Sequence, residues 1–200
     1  MRITKETFLL ALTACMLASP QAFARAKQSA DFYTAAANDN VVQHRYKDAI
    51  GNYCKAIKID KTNPRLYQLR ANAEYCLHDY RHSVKDLSKS LSLDPGDPNS
   101  FALRARNYDL LEDYKKEKTD VDSLVTLQPN SVTNLLWRAR LNERFKNSAI
   151  VLSDCDKALN LDPDRNSLAE LYKLRSSAYK KLGKKNQYQQ ELAKYQSIVQ

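Results

Sequence analysis

Apolar residues recur along most of the chain at intervals of three and four, the spacing that places them on one face of an α-helix. Two successive runs show this spacing: Leu66, Leu69, Ala73 and Leu77, and then Val84, Leu87, Leu91 and Leu93. Each apolar segment spans about 13 residues, close to the usual length of a helix. No useful stretch alternates apolar and polar residues as a half-buried strand would. The pattern predicts an all-α protein built of short helices.

The chain also contains an internal repeat of 34 residues. Segment 67–71 returns as 101–105 and again as 135–139, each time ending in Arg-Ala. Pro95, Pro129 and Pro163 keep the same interval and fall where a second helix should stop. A fixed period of this size indicates a stack of similar helix pairs, since one short pair cannot bury its apolar faces alone.

The period and the residues at its fixed places resemble the tetratricopeptide repeat family. The matching residues are small or aromatic: Ala49, Tyr53, Ala56, Tyr67, Ala71, Tyr80, Phe101, Ala105, Tyr114, Ala139, Ala158, Tyr179 and Gly183. The resemblance implies an all-α, right-handed α-solenoid of about five helix–turn–helix repeats. The predicted repeats are 30–63, 64–97, 98–131, 132–165 and 169–200, the last starting three residues late.

The sequence departs from the family pattern at one core place. Where the family carries a small residue, this chain has Ser83, Glu117 and Val151 in successive repeats. The first repeat lacks the closing proline, and its first helix contains Asn38-Asp39-Asn40, which are poor helix formers. We expect the first repeat to be the least stable.

The N-terminus has the outline of a cleaved secretory signal peptide over residues 1–24. A basic start is followed by the apolar run Phe8 to Ala18 and by Ala22-Phe23-Ala24, which has the small-x-small form of a cleavage site. Residues 25–29 would then be a short mature extension before a repeat domain of 30–200. A second processing route is open, because residues 12–15 resemble a bacterial lipobox and would make Cys15 a lipidation site. Either route predicts export.

Composition limits the partners. Two hundred residues with 43% hydrophobic content suit one domain, and the formal net charge is +9. Much of the excess lies near the end, in Lys173, Arg175, Lys180, Lys181, Lys184 and Lys185. These side chains either solvate the last helices, as the end of a solenoid requires, or attract an acidic partner or an anionic envelope surface. Nucleic-acid binding is not expected, because the tyrosines fall mostly on core places of the repeat.

Four arginines repeat with the period and have a matching acid on the second helix of their repeat. The pairs are Arg70 with Asp86, Arg104 with Asp120, Arg138 with Asp154, and Arg175 with Glu191. A binding site rarely needs every unit to be identical, so a structural ladder of ion pairs is the favoured interpretation. Trp137 stands where other repeats have leucine, which favours core packing.

Site chemistry is sparse. The sequence has no glycine-rich phosphate loop and no nucleophile elbow, so we expect neither an enzyme nor a cofactor. Cys76, His78 and His82 lack the spacing of a metal site, and none is predicted. Cys155 is expected in the core, whereas a disulfide between Cys54 and Cys76 stays an alternative.

Proteins of this family usually bind ligands on the concave face, which the first helices of the repeats line. By this resemblance, the groove residues are Asn38, Gln68, Asn72, Tyr75, Arg106, Asp109, Arg140, Glu143 and Lys180. These places differ between repeats, as a specific ligand site would require, and the predicted centre is Asn72, Arg106 and Arg140. The family's carboxylate clamp is not matched, because a clamp lysine and asparagine are replaced by Thr34 and Leu69.

Two functions follow. The first is a non-catalytic scaffold of the bacterial cell envelope that holds a protein or peptide partner, acidic in one alternative, in the groove. The second is a membrane-associated component, in one form a lipoprotein, of an envelope assembly, secretion or polysaccharide machinery. The sequence leaves homo-oligomerisation open.

Overall fold

The computed structural model describes residues 29–200, so the signal peptide 1–24, most of the extension 25–29 and Cys15 lie outside the described residues. Within that range the chain forms ten α-helices and no strand, which confirms the all-α solenoid. The helices are α1 Ala30–Val42, α2 Tyr46–Ile59, α3 Pro64–Cys76, α4 Tyr80–Leu93, α5 Pro98–Leu110, α6 Tyr114–Leu127, α7 Val132–Arg144, α8 Ser148–Leu159, α9 Arg165–Lys181 and α10 Lys185–Val199.

A capping residue begins every first helix. Ser29, Asn63, Asp97 and Ser131 stand 34 residues apart, and each accepts a hydrogen bond from a backbone N–H of the first turn. These side chains satisfy donors that the helix itself leaves open. The cap is therefore part of the repeat, and it explains why the helix starts share one period.

The turn inside each helix pair has a fixed backbone conformation. His44, His78, Glu112, Lys146 and Gly183 all have positive φ, between 57° and 70°. A left-handed residue just past a helix reverses the chain and lets its N–H reach back to the last turn. Only one of the five is glycine, so the other four turns accept the steric cost of a side chain in this region.

The core is built from small and large residues at fixed places. Ala37, Ala71, Ala105 and Ala139 are fully buried on the first helices, where they allow close helix contact. Opposite them, the second helices carry Tyr53, Leu87, Val121 and Cys155, each at most 1% exposed. The expected core position of Cys155 is confirmed, and burial raises the pKa of its thiol to about 12. All three cysteines of the described range are free thiols.

The fifth repeat begins earlier than its sequence register indicates. Helix α9 has 17 residues and starts at Arg165, not at 169. Asp164 sets this start, since its carboxylate accepts from the backbone N–H groups of Asn166 and Ser167. The three-residue shift is therefore absorbed by one additional helical turn and not by a loop.

The arginine ladder is present, and three of its pairs are bidentate. Arg104 donates from Nε and Nη2 to Asp120 at 2.8 and 2.6 Å, and Arg70 and Arg138 hold their aspartates in the same way. Arg175 contacts Glu191 at 3.2 Å. The hydrogen bond with Asp86 raises the pKa of Arg70 above its ordinary value.

Each ladder arginine also reaches back to the second helix of the preceding repeat. The partners there are Cys54, Ser88, Asp122 and Asp156, again 34 residues apart. Their chemistry changes along the array from a thiol and a hydroxyl to two carboxylates. Every ladder arginine therefore joins two repeats as well as the two helices of its own.

None of the described helices combines the length and the apolar character needed to cross a membrane.

Candidate functional site

The first helices form the inner side of the array. Helices α3 and α5 contact each other, as do α7 and α9, whereas within residues 29–200 the second helices of successive pairs meet at most marginally. Successive first helices are thus the more closely packed set, which makes their exposed face the groove. Most of the predicted ligand residues lie on α3, α5 and α7.

The first groove cavity, here called the Arg106 cavity, lies between α3 and α5 and has a volume of about 450 Å³. Its lining is mainly polar: Arg65, Gln68, Leu69, Asn72, Asn99, Ala102, Leu103 and Arg106. Three of the predicted groove residues, Gln68, Asn72 and Arg106, are brought together here. The cavity floor is apolar and its rim carries amide and guanidinium groups, so it suits a polar or anionic ligand.

Gln68 has a structural part in this cavity. It is only 7% exposed, and its Nε2 donates to Asp97 at 2.6 Å and to Ser100 at 3.2 Å. These bonds tie α3 to the N-terminus of α5. The side chain therefore fixes the spacing of the two helices and has little capacity left for a ligand.

Asn72 and Arg106 are different, since both are exposed and neither makes a side-chain hydrogen bond or ion pair with any described residue. A guanidinium without a carboxylate partner keeps five donors available. An amide one repeat earlier adds a donor and an acceptor on the same face. Together they can hold a carboxylate and the backbone of an extended chain.

Arg140, the third residue of the predicted centre, is already paired. Its Nε and Nη2 both donate to the carboxylate of Glu170 on α9. Its neighbour Glu143 accepts from Ser177 and lies 3.5 Å from the Lys181 ammonium. This half of the groove is cross-linked to the last repeat, whereas Arg106 is free.

A second groove cavity, here called the Glu117 cavity, lies between α5, α6 and α7 and has a volume of about 340 Å³. Its lining is charged and includes the only tryptophan of the chain: Asp109, Glu117, Trp137, Arg140, Leu141, Glu143 and Arg144. The Trp137 indole donates to Glu117 Oε1 at 2.7 Å, while its ring packs against Ala105, Val121 and Leu141. Trp137 therefore joins the predicted core and also faces this cavity.

The remaining predicted groove residues are spread over other repeats. Asn38 accepts a hydrogen bond from the Tyr53 hydroxyl at 2.7 Å. The Tyr75 ring packs on Tyr80, and the Lys180 ammonium lies over the Tyr188 ring at 5.8 Å. None of the three lines either cavity, so they are not brought together with Arg106.

Glu117 was not among the predicted site residues, although the sequence contains a signal for it. It occupies the core place where Ala49, Ser83 and Val151 stand in other repeats. A carboxylate at a place reserved for small residues needs a partner. Trp137 provides only one hydrogen bond, and the pairing of these two departures from the pattern could have indicated the cavity.

Among residues 29–200, no group of three or more histidine, cysteine or acidic side chains could hold a metal ion.

Ten helices paired at a 34-residue period, with capped starts and left-handed turns, define a tetratricopeptide-type solenoid. Solved structures of such proteins superpose on this chain. A crystal structure of MamA has a TM-score of 0.73 at 12% identity, covering 84% of this chain and 91% of MamA. YrrB, described as a TPR protein with an unusual peptide-binding site, has a TM-score of 0.72 at 19% identity, covering 89% of this chain and 90% of YrrB.

A shorter match is the first TPR of Spaghetti (RPAP3) bound to an HSP90 peptide, with a TM-score of 0.55 at 22% identity over 60% of this chain and 94% of that one. No family model and no curated protein sequence matches this chain. The structural likeness establishes the fold.

Proposed function

We propose that this protein is a non-catalytic scaffold that binds an extended segment of a protein partner in the groove of its first helices, centred on the Arg106 cavity. The observation that carries the proposal is the pair of unpaired groups, Asn72 and Arg106, at the same place in successive repeats. In the ladder, by contrast, each arginine has a carboxylate. The guanidinium of Arg106 would hold an acidic side chain or a terminal carboxylate of the partner.

Solved structures of the same fold support this use of the groove. YrrB has a peptide-binding site, and the first TPR of RPAP3 was solved with an HSP90 peptide. In the present chain the clamp residues for chaperone C-termini are replaced, so a different acidic segment is the proposed ligand.

Selection of peptides tests the proposal. A displayed library of random nonapeptides is panned against the full chain, and the binding of enriched peptides is measured by fluorescence anisotropy. We expect peptides rich in acidic residues, and we expect Arg106→Ala to weaken their binding roughly tenfold or more, since it removes charge-assisted hydrogen bonds.

Arg81→Ala is the matched control, because Arg81 is an exposed arginine on the second helix α4, away from the groove. It removes the same charge and should leave binding unchanged at physiological salt. Failure to enrich any peptide, or equal weakening by both variants, would rule out this site.

We further propose that the protein works in the bacterial cell envelope after export, with cleavage after residue 24. The membrane-anchored alternative, an envelope assembly component, requires lipidation of Cys15. Mass spectrometry of the exported protein distinguishes them: a mature N-terminus at Arg25 supports the free scaffold, and a lipid-modified Cys15 supports the anchored form. An intact Met1 would contradict both.

A further inference from the structure

The Glu117 cavity contains a buried carboxylate that is only half satisfied. Glu117 is 2% exposed, and its Oε1 accepts from Trp137. Its Oε2 is buried and has no hydrogen-bond partner in the described part of the chain. A buried carboxylate oxygen without a partner is costly, and a cation placed in the cavity would offset that cost.

A second acid lines the same cavity without a partner. Asp109 is exposed on α5 and forms no ion pair with any described residue. The two arginines on the cavity wall do not satisfy these acids. Arg140 is paired with Glu170, and the Arg144 guanidinium is stacked over the Tyr114 ring at 4.0 Å. The local charge is therefore open to an additional positive group.

We propose that the Glu117 cavity is a binding pocket for a basic side chain of the partner, held between the carboxylates of Glu117 and Asp109 beside the Trp137 ring. A guanidinium fits best, because it can donate to both carboxylates and stack on an indole. This inference rests on the proposed function and adds a second specificity to the groove.

The two cavities fix a spacing for the ligand. The Arg106 cavity lies on one side of α5 and the Glu117 cavity on the other, so they are separated by about one helix spacing, 8–10 Å. An extended chain advances about 3.3 Å per residue. The bound segment therefore carries an acidic residue and a basic residue roughly three positions apart.

Trp137 makes the pocket directly observable, since it is the only tryptophan of the chain. Its fluorescence is followed while the full chain is titrated with N-acetylargininamide or with N-acetylcitrullinamide, a neutral isostere of similar shape, at constant ionic strength. We expect a saturable change with the arginine probe alone. Asp109→Asn should weaken it about tenfold, as for the loss of one charge-assisted hydrogen bond.

Glu117→Gln should remove the response, whereas Glu112→Gln, which changes an exposed acid outside the cavity, should not. Asp109 is exposed, so its variant folds even if the buried substitution does not. An absent response in the wild type, an equal response to the citrulline probe, or an Asp109→Asn titration identical to wild type would overturn the proposal.

These outcomes are separable from the proposed function. Acidic peptides that bind through Arg106 without any arginine response at Trp137 would end the inference alone. An arginine response at Trp137 with no peptide enrichment would end the proposed function and leave the pocket.

Discussion

Arg104→Ala should destabilise the protein by about 3 kcal/mol, because it leaves a buried carboxylate without its cation. The Asp120 side chain is only 2% exposed and takes two hydrogen bonds from Arg104. The substitution also removes the bond from Arg104 Nη1 to Ser88 at 3.0 Å, which joins two repeats. Urea unfolding followed by circular dichroism measures the loss.

Arg106→Ala is the matched control for this prediction. It removes the same side chain two positions later on the same helix, where the guanidinium is exposed and unpaired, and should change stability by less than about 0.5 kcal/mol. Replacing both partners by apolar residues, as in Arg104→Met with Asp120→Leu, should recover much of the loss. Equal stability of the two arginine variants would show that the ladder does not hold the repeats together.

The stability of the wild-type protein should fall by about 2 kcal/mol between pH 4.5 and pH 7 through Glu74. Burial, and then the charge of Asp86, raise the pKa of this carboxyl from 4.5 to about 7, against the opposing effect of Arg70. Its Oε2 is buried without a hydrogen-bond partner. The folded state therefore holds a proton that the unfolded chain has already released.

The sign of the effect follows from this difference. A raised folded-state pKa gives a contribution that is complete below the unfolded pKa and is lost as the pH rises through about 7. Glu74→Gln removes the titration, so the variant should gain stability relative to wild type as the pH rises. Subtracting the two urea-derived stability profiles isolates Glu74 from Asp79 and His82, which also face it. A constant difference across this range would contradict the prediction.

Much of the fold could be predicted because its elements repeat. The caps at Asn63 and Asp97, the turn at His78 and the pairing of Arg104 with Asp120 all follow one 34-residue period. A period turns each local signal into several. The start of α9 escaped because Asp164, one residue before the expected cap, sets it locally.

The site was less predictable because its decisive contacts join residues at different places of different repeats. The pairing of Arg140 with Glu170 cannot be read from the period, so Arg140 and Arg106 look equivalent in sequence although only one is free. Gln68 looks like a groove residue, yet it is engaged by Asp97 and Ser100. Glu117 breaks the pattern, and only the fold shows that Trp137 reaches it.

The backward contacts of the ladder bear on how such a chain can change its length. If residues 98–131 were lost, Arg138 would meet Ser88, the same hydroxyl that Arg104 uses now, and the capping and turn residues would rejoin in phase. A deletion of any other size would set an arginine against the wrong helical turn. Whole-unit gain or loss is thus the path of least disruption, and the number of units can vary during evolution while the rule that joins them stays constant.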